Sequence, residues 1–235
     1  TNDGMNSYSW DARNRLAGVS GGATASFSYD ALGRRISKAI GGEAAQFAYD
    51  GNDIIAEIKG GTVGTTYLRS LNIDEMFGFL RQDGSYFSIY DGLGSTLALT
   101  NQAASSAVQY SYEPFGKTQS SSPTPVNPFE FTGRENDSTG LYYYRTRYYS
   151  PQLQRFLSQD RTGFSGGNLN LYGYASNSPL KYADPLGLWN TPAHDYFLKN
   201  RFGAIDPQLF GQLMAGSQAT DDWLTLFLPS FSPEH

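Results

Sequence analysis

Cysteine is absent from the 235 residues. Its absence excludes disulfides, thiolate metal sites and a cysteine nucleophile, but leaves the compartment open, because secreted proteins also dispense with cysteine. Histidine is nearly absent: the two copies are His194 and His235. Everything before them lacks the means for a Ser-His-Asp triad or a histidine metal site. Charged residues make up only 17% and the net charge is −5. No cluster of Lys and Arg is dense enough to track a phosphate backbone, which argues against nucleic-acid binding by the bulk of the chain. No apolar run approaches the roughly 18 residues a spanning helix needs, so no transmembrane segment is expected. Thr1-Asn2-Asp3-Gly4 does not resemble a signal peptide and reads as the interior of something longer.

What is present is aromatic: 17 Tyr and 15 Phe beside 26 Gly, a mixture that favours strands joined by tight turns. An aromatic-acid pair recurs as Trp10-Asp11, Tyr29-Asp30, Tyr49-Asp50, Tyr90-Asp91 and Tyr112-Glu113. The period is about 20 residues, with one degenerate copy between the third and fourth pairs. Alternating residues lead into several pairs, as in Ser26-Phe27-Ser28-Tyr29, and a turn containing Gly follows, as in Asp30-Ala31-Leu32-Gly33-Arg34. Period-two alternation marks a half-buried strand. Each repeat is therefore a hairpin that cannot hide its aromatic face alone, and stacked copies predict a continuous curved sheet. On this basis the Tyr-Asp pairs are architectural. The Gly-Gly pairs at 21–22, 41–42 and 60–61 read as hairpin turns, not phosphate loops.

The stretch QSSSPTPVNP, residues 119–128, is rich in Ser and Pro and reads as a linker or exposed loop. It divides the repeats (1–118) from a denser, non-repeating segment (129–188). That segment carries FTGRE, GLYYYRTRYY, RFLSQD, NLYGYASNSP and DPLGL in order. It resembles the RHS repeat-associated core domain, and the upstream copies resemble the YD repeats of RHS, Tc-toxin C-component and teneurin-like proteins. The resemblance implies a mainly β fold: YD-repeat hairpins forming part of a spiralling β-sheet shell, or cocoon, closed by a core plug and followed by a short α-helical effector segment. It also implies that the plug is an aspartic self-peptidase needing no cofactor, cutting after the Leu of its D-P-x-G-L motif, here between Leu188 and Trp189. The family's Arg and two Asp correspond to Arg147, Asp160 and Asp184. Where the family often has Asp-Pro, Asp160 is followed by Arg161. Either that proline is not needed to place the backbone, or this member cuts less well.

The residue types suit the chemistry. Two carboxyls held close can divide the labour of peptide hydrolysis, one as base and one as acid. A planar guanidinium can orient a carboxylate or steady an oxyanion. Pro185 and Gly187 shape a turn that presents Leu188. The plainer expectation is that an Asp before Pro is a turn residue and an Arg among tyrosines is a cation-π or salt-bridge partner.

Beyond Leu188 the pattern turns helical. Thr191-Pro192 and Asp206-Pro207 are helix starts, and Leu209, Phe210, Leu213 and Met214 share a face. Residues 189–235 read as the opening of a separate, incomplete effector domain. His194, Asp221, Asp222 and His235 are zinc-ligand types, and cleavage before Trp189 would add its free amino group. Their order is similar to the start of zinc-dependent phospholipases C, whose mature chain binds zinc through its amino-terminal Trp, so zinc and a metal-dependent hydrolase are the expectation for the tail. The family resemblance further implies an upstream RHS shell and an immunity protein. It implies delivery by secretion or into target cells, through a type VI route with VgrG/PAAR-type proteins or a Tc B-component. A rival is a teneurin-like shell, structural or adhesive, that cuts nothing. A third possibility, sugar binding by the repeats, requires exposed tyrosines.

Overall fold

A computed structural model describes residues 1–70, 74–122, 127–166 and 169–188 of the chain. Twelve strands form one antiparallel meander in which each pairs with its sequence neighbours. They are β1 (Asn6–Trp10), β2 (Leu16–Gly21), β3 (Ala25–Tyr29), β4 (Arg35–Ile40), β5 (Glu43–Asp50) and β6 (Asp53–Lys59). The sheet continues through β7 (Thr62–Arg69), β8 (Met76–Arg81), β9 (Gly84–Tyr90), β10 (Thr96–Asn101), β11 (Ser106–Tyr112) and β12 (Thr118–Ser120). The fold is mainly β, as the alternation predicts. The helices expected beyond residue 190 lie outside the described residues.

The repeat has a physical basis in its turns. The Asp30 carboxylate accepts Arg34 N–H at 2.8 Å and the Arg34 guanidinium at 2.7 Å. Gly33, at φ +93°, closes the loop by donating to Asp30 O. Asp91 does the same with the amides of Leu93 and Ser95. In these pairs, and at Asp11 as well, the acid satisfies amides that a tight turn would leave orphaned. In three of the pairs the aromatic residue reaches sideways. Tyr29 Oη donates to Leu16 O at 2.7 Å, Tyr49 Oη to Arg35 O at 2.8 Å and Tyr112 Oη to Thr96 O at 2.6 Å. Each stitches one hairpin to its predecessor.

The degenerate copy is now identifiable. Arg69 stands where the tyrosine should be, and its Nε donates to Ile54 O at 2.7 Å, filling the same position with a different donor. The sheet register also slips at Ser9/Trp10, Ser28/Tyr29, Ala48/Tyr49 and Leu68/Arg69, one bulge per repeat at the same place. Bulges increase local twist, so a regular series of them bends the sheet progressively. Because the three hydroxyls are spent on backbone carbonyls and the rings are half-buried, these tyrosines do not offer the exposed surface that sugar binding requires.

The Ser/Pro stretch is not simply an exposed loop. Gln119 and Ser120 belong to β12, which covers β11, and Asn127 is buried. The Asn127 amide explains its own burial: it accepts from Phe129 N–H and donates to Phe129 O. Residues 123–126 lie outside the described residues.

A second sheet follows, of β13 (Glu135–Asn136), β14 (Tyr142–Tyr144), β15 (Arg147–Ser150) and β16 (Arg155–Phe156). Its alternation runs with both faces buried. Tyr143 and Tyr148 join Tyr8, Leu16, Val19 and Phe27 of the large sheet. Tyr142, Tyr144 and Tyr149 face the other way, onto Phe131, Phe156 and Tyr174. Phe129 enters a third cluster with Phe47, Tyr67 and Phe79. The small sheet is thus packed as a plug against one face of the large one.

Candidate active site

The β14–β15 hairpin turns through Arg145 and Thr146, with Arg145 at φ +58°. That is a conformation non-glycine residues seldom adopt, and here it is held by the contacts the two side chains make. Arg147 follows at the start of β15 and is almost completely buried. Its guanidinium lies 3.7 Å from the Phe156 ring centroid.

Arg147 joins the two aspartates. Its Nη2 is 2.9 Å from Asp160 Oδ2 and 3.2 Å from Asp184 Oδ2. The other guanidinium nitrogens bind backbone: Nη1 donates to Leu171 O at 3.2 Å and Nε to Gly187 O at 2.5 Å. Residues up to 40 positions away in sequence therefore meet at one side chain.

Each aspartate opens a turn of the same kind as those of the repeats. In Asp160-Arg161-Thr162-Gly163, Gly163 N–H donates to Asp160 O at 3.1 Å. In Asp184-Pro185-Leu186-Gly187, Gly187 N–H donates to Asp184 O at 3.3 Å. The second position of such a turn favours Pro but accepts most residues. Arg161 accordingly closes the first turn without the proline the family often has there. One oxygen of each carboxylate caps its own turn: Asp160 Oδ1 accepts from Thr162 N–H and Oγ1–H, and Asp184 Oδ1 accepts Leu188 N–H at 3.0 Å. The remaining oxygen of each points at Arg147. Being turn residues and converging on one guanidinium are not alternatives here, since each carboxylate does both.

Asp184 is electrostatically distinctive. Burial pushes its carboxyl up to about 6, with Asp160 adding to the rise, while Arg147 and the Leu188 amide oppose it. Burial also lowers the Arg147 pKa, against the pull of Asp184 and then Asp160. A carboxyl that burial pushes up beside a second carboxylate is the setting in which acid and base roles can divide.

The segment leading to the expected cut is gripped along its backbone. Pro185 O accepts from Arg145 Nη1 at 2.7 Å and Arg134 Nη1 at 3.2 Å. Thr146 Oγ1 lies 2.8 Å from both Leu186 O and Gly187 O. Gly187 has φ +63°, and a Cβ there would collide with Tyr144 O. A cleft of about 160 Å³ beside the turn is lined by Thr146, Leu186 and Leu188 and by Tyr49, Ile54 and Arg69 of the large sheet, room enough for ordered water.

Sequence reasoning named Arg147, Asp160, Asp184 and Leu188, and the structure brings these together. It missed Arg134, Arg145 and Thr146. Their only sequence signal is adjacency to Arg147 in YYYRTRYY and membership of FTGRE. Trp189, His194, Asp221, Asp222 and His235 lie outside the described residues, and among the described residues no group of three or more His, Asp or Glu could hold a metal.

No protein-family model matches the chain. Individual proteins do. The tRNA nuclease WapA of Bacillus subtilis is 30% identical over 202 residues, 80% of this chain and 9% of that protein. The probable deoxyribonuclease RhsA of Dickeya dadantii is 33% identical over 204 residues, 79% of this chain and 14% of that protein. The crystal structure of TcdB2-TccC3 superposes with a TM-score of 0.64 at 21% identity, covering 79% of this chain and 10% of that one. The chain belongs to the RHS/YD-repeat toxin family. It spans about a tenth of the length of these relatives. The twelve-stranded sheet is RHS shell and the small sheet is its core plug. The zinc-phospholipase likeness of the tail finds no support among the relatives, two of which carry nuclease names.

Proposed function

We propose that this segment is the closing part of an RHS toxin container whose plug hydrolyses its own chain between Leu188 and Trp189, freeing a C-terminal effector for use against competing or host cells. The observation that carries the reading is the convergence of Asp160 and Asp184 on Arg147 directly beneath the Asp184–Leu188 turn. Asp160, its carboxylate held by Arg147 and Thr162, takes a proton from water as the oxygen attacks the Leu188 carbonyl carbon. Asp184, with the raised pKa, gives a proton to the Trp189 nitrogen as the C–N bond breaks, leaving a Trp189 amine and a Leu188 carboxylic acid that then loses its proton to solvent. Arg147 Nε and Thr146 hold the Gly187 carbonyl and Asp184 holds the Leu188 amide, so the peptide unit just before the scissile bond is fixed at both ends. Enzyme and substrate are one chain, and folding brings them together.

An open twelve-stranded sheet does not enclose a cargo, so the rest of the container comes from further RHS shell or a partner such as a Tc B-component. Nuclease relatives make an enzymatic effector the working expectation, with an immunity protein protecting the producer. The rival, a shell that cuts nothing, is favoured by one observation: every nitrogen of the Arg147 guanidinium has an acceptor, as a purely structural joint would require. Intact mass and amino-terminal sequencing separate the two. The parent chain should yield a fragment beginning at Trp189, and Asp184→Asn should stay whole; full-length protein from both defeats the peptidase reading, and a fragment beginning at Leu188 moves the cut one bond upstream.

A further inference from the structure

Three consecutive residues, Arg145, Thr146 and Arg147, hold three consecutive carbonyls, those of Pro185, Leu186 and Gly187. The first of these grips does not belong to the plug alone. Arg145 Nη2 lies 3.0 Å from Asp53 Oδ1 and 2.7 Å from Asp74 Oδ1, and its Nη1 lies 3.1 Å from Asp74 Oδ2. Arg134, which also donates to Pro185 O, is ion-paired with the same Asp74. Asp53 opens β6 and Asp74 lies between β7 and β8, so both anchors are shell residues. They stand 60 to 92 positions from the arginines they hold.

We propose that self-cleavage is gated by docking of the plug on the shell, with Asp53 and Asp74 acting through Arg145 and Arg134 to seat the Pro185 carbonyl and so align the Leu188–Trp189 bond. The inference rests on the peptidase reading. Its physical basis is charge. Arg134 and Arg145 share one carbonyl and are both buried or nearly so. Two guanidinium groups that close repel unless carboxylates lie between them, and here the carboxylates come from the shell. Burial and the neighbouring Arg145 both disfavour charge on Arg134, and Asp74 is the first influence that favours it. Before the shell forms, the pair has no reason to stay beside Pro185, and the turn loses its outer grip while the Asp160–Arg147–Asp184 triad remains intact. Arg134, Arg145, Asp53 and Asp74 are thus positioning residues. The arrangement ties release of the effector to completion of its container.

The test follows cleavage of the full chain after refolding from denaturant, by gel and intact mass, with far-UV circular dichroism and protease resistance recording the fold. Four chains are compared first: the parent, Asp184→Asn, Asp53→Asn/Asp74→Asn and Arg145→Met. The double variant and Arg145→Met should fold yet cut more slowly, by a factor on the order of ten to a hundred, the scale of a misplaced reacting group. Arg145→Lys, which keeps the charge, should recover part of the rate, and the pH at which the rate turns over should be unchanged in every cutting variant. If the double variant does not fold, Asp53→Asn alone, whose carboxylate is partly exposed, reads the same effect at a few-fold. A folded Asp53 or Asp74 variant that cuts at the parent rate, while Asp184→Asn does not cut, overturns the gating and leaves the peptidase standing. An uncut parent overturns both.

Discussion

Arg35 offers a direct test of how plug and shell are joined. It begins β4 in the shell and its side chain is wholly buried. Its two terminal nitrogens are ion-paired with Glu135 and Asp137 of the plug, and Nη1 also donates to Tyr148 Oη at 2.9 Å. The guanidinium carbon sits 4.2 Å from the Tyr143 ring centroid, with Phe47 and Phe27 within 5.5 Å. Burial works against its charge, but Asp137 and Glu135 more than offset that and raise its pKa. Replacing Arg35 by Met keeps most of the apolar contact and removes the cation. Two carboxylates are then left in a closed aromatic setting, where Lys38, 3.2 Å from Asp137, is the remaining counter-charge. Breaking a buried pair in this way costs about 3–5 kcal/mol. Removing all three charges, with Arg35→Met/Glu135→Gln/Asp137→Asn, should recover at least half of that, because no fully buried charge is then left uncompensated and Lys38, which loses Asp137, keeps some contact with solvent. The assay is urea unfolding followed by circular dichroism, in an Asp184→Asn background so that one uncut species is present, with m checked for constancy. An Arg35→Met loss below about 1 kcal/mol, the range of exposed pairs, refutes the argument, as does a triple variant no more stable than the single.

Other outcomes follow from the site. With Asp184 as proton donor and its carboxyl near 6, the reactive form is the protonated one present below that pH, so the cleavage rate should decline as pH rises above about 6. A rate that climbs through the same range, measured after refolding into buffers from pH 5 to 8, reverses the assigned roles. Gly187→Ala introduces a Cβ against Tyr144 O at a positive φ. It should abolish cleavage and lower stability by a few kcal/mol, on the order of the strain a left-handed non-glycine adds to a clash; full cleavage would show that the turn is not held as described. Asp30→Ala removes a turn cap and a half-exposed pair with Arg34, and should cost only about 1 kcal/mol in thermal unfolding without affecting cleavage.

How much was legible in advance depended on range. The Tyr-Asp repeat, its Gly turns and the Asp184–Leu188 turn are written in neighbouring residues, because an acid caps amides two to four positions away and strand alternation has a period of two. The degenerate copy was legible only as a gap in spacing. That Arg69 fills it requires the Ile54 carbonyl, 15 residues away. The same Asp-x-x-Gly device serves turns in the shell and both site aspartates, so composition alone could not tell Asp30 from Asp184.

The sequence by itself determined the local pieces: hairpins and turns, the order of the plug motifs, and through them the family. Only the tertiary structure decided which pieces meet. Arg147 collects Asp160 and Asp184, Arg35 binds Glu135 and Asp137 across 100 residues or more, and Asp74 holds Arg134 and Arg145 beside the Asp184–Leu188 turn. These contacts carry no spacing rule. Burial in a shared aromatic core makes each unpaired charge costly, and the folded chain brings opposite charges together wherever the two sheets close on one another.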